Sequence, residues 1–225
     1  MDIPTVVFYV GPFGITSIVV TTWGIMITLA ICCWLGTRRL ALVPGKLQTM
    51  LEGLVLAIED NINAVIPDHT QQVLPFIATL WLYIVIANLT GLIPQLHSPT
   101  GSFSVTAGLA LLVFLSVHWF GIRSGGVRNY LRHYLSPTPL LLPFHLISEV
   151  TRTIALAVRL FGNIMSLELV ALLVLLVAGL LVPVPLLMLH VIEALVQAYI
   201  FGMLALIYVA GAMQSQQESK KGNDI

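Results

Sequence analysis

From Pro143 to Leu181 the chain is apolar for about forty residues, and within that stretch only Glu149, Arg152, Arg159 and Glu168 are charged. A helix of that length reaches ~55 Å, whereas the hydrocarbon core of a bilayer is ~30 Å thick. Upright, it does not fit, so it must tilt, bend or break. Pro183 and Pro185 are expected to interrupt it, and Leu186 to Met213 reads as a second long helix. The two form a steeply tilted helical hairpin turned at "GLLVPVP".

Composition says what surrounds that hairpin. Hydrophobic residues make up 58% of the 225 and charged residues 9%, where a soluble domain carries roughly 25% charge. Too little charge is available to cover the surface, so lipid must cover it. The formal net charge is +0, which gives nucleic acid no handle. Cys32 and Cys33 are adjacent in an apolar run, poorly placed for a structural bridge and without zinc-ligand spacing, and read as small apolar fillers.

Along the chain, Ile15 to Leu35 is a first span. Its first positive charges follow it, so it reads as retained rather than as a cleaved secretory signal. Lys46 to Ile66 mixes Leu47, Leu51 and Leu54 with Gln48, Glu52, Glu59 and Asp60, the pattern of an amphipathic helix at the interface. Val73 to Leu89 and Phe103 to Phe120 are two further crossings. "NLTGLIPQLHSPTGS" (Asn88 to Ser102) between them is expected as a loop by its Gly, Pro and Ser content. The fold class is therefore an all-α polytopic membrane protein with about five crossing helices and one interfacial helix. It is a single membrane domain over 1–225: an N-terminal span and amphipathic helix (1–66), a two-span hairpin (67–122), the long tilted hairpin (143–213) and a polar tail (214–225).

The last two helices carry Glu149, Arg152, Arg159, Glu168, His190 and Glu193. Each costs kilocalories in lipid unless paired or wetted; arginine near the midplane costs ~3 kcal/mol on insertion scales. Glu149 lies three residues before Arg152 and is expected to pair with it structurally. Arg159 has no acid three or four residues away, so its partner must be on another helix or another chain. Asn163 is one turn beyond it. Glu168 is ~13 Å further along the helix. His190, Glu193 and Gln197 form one polar stripe on the last helix. Glutamate and histidine exchange protons once their surroundings shift them, and arginine does not deprotonate. Together they suit an ion path with a fixed positive barrier.

"RLFGN" (Arg159 to Asn163) followed by Glu168, "HVIEALVQAYIF" (His190 to Phe201) and "NLTGLIP" (Asn88 to Pro94) resemble subunit a of bacterial F-type rotary ATP synthases. The resemblance covers most of the chain. It implies that Arg159 is the stator arginine, that Glu168 and His190 are the acid/histidine pair of the exit-side half-channel, that Gln197 is the glutamine near the arginine and that Asn163 lines the path. Glu193 departs from the pattern, since many relatives carry an apolar residue there. The implied partners are the c-ring subunits, peripheral-stalk subunit b, the rest of the complex and membrane lipid. The implied subunit is non-catalytic, needs no cofactor or metal, and moves protons or sodium through the inner membrane. The alternative is a self-contained secondary ion transporter, but the chain lacks an internal duplication of short broken spans. An intramembrane enzyme is disfavoured by the lack of HExxH and Gly-x-Ser-x-Gly motifs.

Orientation follows from the basic residues. Arg38, Arg39 and Lys46 follow span one, Arg123, Arg128 and Arg132 follow span three, and Lys220 and Lys221 lie in the tail. Five crossings put all of these on one face, which is cytoplasmic, with the N-terminus outside. In a chain with Cys32 and Cys33 replaced by alanine, single cysteines at Gly125 and Ser219 are expected to react with an impermeant thiol reagent in inverted vesicles and not in intact cells. Labelling only from outside would invert the topology.

Overall fold

The computed structural model describes residues 6–10, 13–38, 45–93, 98–126, 142–178 and 183–221. Six α-helices account for nearly all of them: α1 (Ser17–Thr37), α2 (Lys46–Val65), α3 (Thr70–Thr90), α4 (Phe103–Gly125), α5 (Leu142–Ala178) and α6 (Pro183–Lys221). All but α2 are long and apolar enough to cross a membrane. α2 is amphipathic and buries only Ile58 and Ile62, one turn apart on one face.

The boundaries differ from expectation in instructive ways. The second expected crossing, drawn to Leu89 and overlapping the expected loop at Asn88, runs to Thr90 as α3, and Pro99–Gly101 forms a short 3-10 turn before α4. The third expected crossing continues five residues past Phe120 and stops at Gly126. There φ is +79°, a conformation open to glycine at no steric cost. Pro183 and Pro185 do not merely interrupt a helix; they occupy the first turn of α6, where a missing N–H breaks no helical hydrogen bond. α6 then runs on to Lys221, through much of the segment expected as a tail. A β-hairpin precedes α1, with Val6–Val10 antiparallel to Phe13–Thr16. No strand is expected there, although its β-branched and aromatic residues favour one. Arg39, Arg128, Arg132 and residues 179–182 of the expected hairpin turn lie outside the described residues.

α4 packs against both α5 and α6, and α3 packs along α6. The contact with α3 depends on small side chains. Ala194, Ala198 and Gly202 recur every fourth residue of α6 and are buried, the spacing that lets membrane helices approach closely. The Trp81 indole lies on Gly202 and stacks on Tyr199 with ring centroids 5.8 Å apart. Seven residues on, Asn88 reaches the backbone of Ala194, so α3 and α6 are antiparallel. By contrast α1 buries only Ile25, leaving the rest of its apolar surface to lipid or to neighbouring chains.

Gly202→Val is expected to force Trp81 off α6 and to destabilise the bundle by ~1–3 kcal/mol, the usual cost of overpacking. The melting midpoint of the detergent-solubilised assembly would fall. Gly108→Ala, where a methyl group meets nothing within 4 Å, is expected to leave it unchanged.

Candidate functional site

Arg159 sits near the middle of α5. Leu156, Leu160 and Ile164 turn into the bundle, whereas Arg159 is exposed on its outer surface. Among the described residues no carboxylate lies within ion-pair distance of its guanidinium. One turn on, the half-buried Asn163 donates its side-chain N–H to Gln197 Oε1 at 2.7 Å, tying α5 to α6 next to the charge. Gln197 is almost fully enclosed, 1% exposed, and its Nε2 has no hydrogen-bond partner among the described residues.

Polar groups gather on either side of this level. Toward the C-terminal end of α5, ~13 Å along the helix, the Glu168 carboxylate lies against the backbone between α3 and α4. A methyl group on Gly101 would be 3.2 Å from Oε2 and 3.3 Å from Oε1, and one on Gly91 would be 3.4 Å from Oε1. The wall behind it is a buried hydrogen-bond network. Asn88 donates to the Ala194 carbonyl at 3.1 Å and accepts from Thr100 Oγ1 at 2.7 Å. Thr100 touches Ser98 Oγ at 2.6 Å, and Ser98 donates to the Ala87 carbonyl at 2.8 Å. One turn before Ala194, His190 is 4% exposed, and its Nε2 is buried without a hydrogen-bond partner among the described residues. Glu193, next along the stripe, is half-buried. Asn88 therefore links the Glu168 pocket to the His190 end of α6.

Toward the N-terminal end of α5, a cavity of about 450 Å³ opens between α4, α5 and α6, with His145, Ser148, Glu149, Arg152 and Tyr208 in its lining; Arg152 and Glu149 are ~10 and ~15 Å from Arg159 along the helix. Glu149, expected beside Arg152, has its Oε2 3.5 Å from His118 Nε2 on α4. Arg152 instead lies over the Tyr208 ring, 5.5 Å from the centroid. The other nitrogen of His118, Nδ1, is 2.9 Å from the Phe114 carbonyl oxygen. A carbonyl only accepts, so Nδ1 donates to it, and Nε2 is the nitrogen that faces Glu149. His118 and His145 are absent from the sequence-level site, as are Ser98 and Thr100. The available signal was a histidine inside an otherwise apolar span.

The described residues thus contain two polar regions at different depths, joined by a helix whose only charge at the intervening level is Arg159. Comparison with known proteins agrees with the motifs. The sequence profile of the family described as "ATP synthase A chain" matches residues 19–210. The chain is 64% identical over 208 residues to "ATP synthase subunit a 2" of Pelobacter propionicus, covering 92% of this chain and 91% of the relative. It is 62% identical over 211 residues to "ATP synthase subunit a 1" of Hahella chejuensis, covering 94% and 90%. With "ATP synthase subunit a" of Legionella pneumophila (strain Corby) the identity is 56% over 219 residues, covering 97% and 95%.

Asn88→Leu removes the donor to Ala194 and the acceptor for Thr100, and is expected to cost ~1–3 kcal/mol because buried partners lose their bonds. Thr100→Val should then cost less in the Asn88→Leu background than in the native chain, as coupled partners do. Thermal melting of the four proteins in detergent measures both effects.

Proposed function

The chain belongs to the ATP synthase A chain family, and from that premise we propose that it is the ion-translocating stator of a bacterial rotary ATP synthase, lying against a ring of c subunits and held by the peripheral stalk. The observation that carries this reading is the exposed guanidinium of Arg159. A fixed charge on the outer face of a membrane helix is costly in lipid, and a carboxylate brought by another subunit removes that cost.

The two polar regions serve as half-channels that do not meet. In the proposed orientation, Glu168, His190 and Glu193 lie on the outer side of Arg159, and the cavity holding Glu149 and Arg152 lies on the cytoplasmic side. During ATP-driven pumping an ion reaches the ring from the cytoplasmic cavity, rides the ring and leaves past Glu168 and His190. Synthesis runs the path backwards. Arg159 separates the two. As a ring site comes up to it, the guanidinium favours the ionised carboxylate and so drives the proton or sodium ion off. At ~4 Å and an effective dielectric of 20 the attraction is about 4 kcal/mol, nearly a thousandfold in favour of the charged form. The hydrogen bond between Asn163 and Gln197 at 2.7 Å closes the gap between α5 and α6 at the same level, which supports the same barrier. The chain has no part in the chemistry of ATP.

Arg159→Ala is expected to abolish ATP-driven ion uptake by inverted vesicles while the complex still assembles on a native gel. In membranes stripped of the catalytic head, passive ion leak should rise. Arg159→Lys should fail as well, because a desolvated lysine loses its proton and lacks the planar fork. Normal pumping by an assembled Arg159→Ala complex would make this arginine structural and remove the proposal.

A further inference from the structure

Two glycines face Glu168, and neither is needed for its backbone. Gly91 has φ −64° and ψ −13°, a right-handed conformation that any residue adopts. Gly101 ends the 3-10 turn Pro99–Gly101, and among the described residues only Gly126 has a positive φ. What distinguishes both positions is their neighbour. A side chain at Gly101 meets Glu168 at 3.2 to 3.5 Å through both carboxylate oxygens and Cδ, and one at Gly91 meets Glu168 Oε1 at 3.4 Å and Ser98 Cβ at 3.1 Å. By contrast Gly24, Gly53, Gly108 and Gly162 have nothing within 4 Å of an added methyl group.

We propose that Gly91 and Gly101 form a cradle that sets how far the Glu168 carboxylate reaches across the outer half-channel, making them positioning residues for ion transfer. The cradle is held rigidly. Gly101 N–H bonds the Ser98 carbonyl at 3.0 Å, and Gly91 N–H bonds the Asn88 carbonyl at 3.3 Å. The side chains of those same two residues, with Thr100, form the buried network that ties the cradle to Ala194 of α6. One hydrogen-bonded unit therefore fixes the glycines relative to α6. The carboxylate enters the space their missing side chains leave. A methyl group there pushes the carboxylate by a few tenths of an ångström, toward the centre of the path or away from its transfer partner. Transfer steps are sensitive to displacements on this scale; an error of ~1 Å costs on the order of a hundredfold.

This inference rests on the reading of Glu168 as part of the ion path, and the test separates the two. ATP-driven ion uptake, as acidification or as sodium accumulation, is measured in inverted vesicles carrying the whole complex, with assembly followed on native gels. Gly101→Ala is expected to slow uptake ~3- to 10-fold, less than the full penalty for a 1 Å error, and Gly108→Ala to leave it unchanged. Glu168→Asp alone withdraws the carboxylate by one methylene and should also slow uptake. The double variant Gly101→Ala/Glu168→Asp is expected to be slowed less than the product of the two single slowings, because the shorter acid vacates the space that the methyl group takes. If Gly101→Ala blocks assembly, restoration of assembly by Glu168→Asp supports the same contact, and no restoration overturns the proposal. Wild-type uptake by Gly101→Ala, or single effects that simply multiply, also overturns it. Unimpaired uptake by Glu168→Leu would instead overturn the role of Glu168 in the ion path, whatever the glycine variants do.

Discussion

A charge that cannot be neutralised, placed in the middle of a long apolar helix, organises this protein. Arginine stays protonated in any environment the fold offers, so at Arg159 the only relief is a counter-charge. Other polar groups in the helical bundle meet partners within the chain: Asn163 bonds Gln197, Asn88 bonds Ala194 and Thr100, and Glu149 faces His118. Arg159 instead points outward from a face whose other side is packed by Leu156, Leu160 and Ile164. The fold thus fixes the backbone beneath the charge while leaving the charge itself available to a second protein.

That arrangement is possible only because the helices approach closely. Lipid chains are as apolar as leucine, so burial alone gives membrane helices little reason to associate. Small residues on α6 supply the reason by letting backbones come near enough for dispersion and hydrogen bonds to act. Asn88 is the clearest case. Its side chain spans from α3 to a carbonyl on α6 at 3.1 Å, a bond that a bulkier residue at Ala194 or Ala198 would prevent. The same closeness brings Trp81 onto Gly202. Polar contacts and small-residue packing are therefore one device.

The two polar regions differ chemically. The one at Glu168 is walled by hydroxyls, an amide and two glycines around one acid. The other is a cavity whose acid, Glu149, faces His118. The guanidinium of Arg152 resting on Tyr208 holds a positive charge at the cavity wall without neutralising Glu149.

Hydrophobic run length and the placement of basic residues were enough to read a polytopic helical protein from the sequence, because lipid imposes both the length of each span and the satisfaction of every backbone group within it. Arg159, Asn163, Glu168, His190, Glu193 and Gln197 were legible for the same reason: a polar residue in an apolar run is conspicuous. The motifs around them carried the resemblance to a family. Partners were not legible. Helical spacing identified residues on one face of one helix, and so proposed Arg152 for Glu149, whereas the fold also brings His118 of α4 to within 3.5 Å of it. Likewise the use of Ser98, Thr100, Gly91 and Gly101 around Glu168 depends on how the end of α3 and the turn before α4 dock onto α5. Those contacts join residues about seventy positions apart in the chain, and distance in space at that separation is decided by helix packing, which local periodicity does not encode.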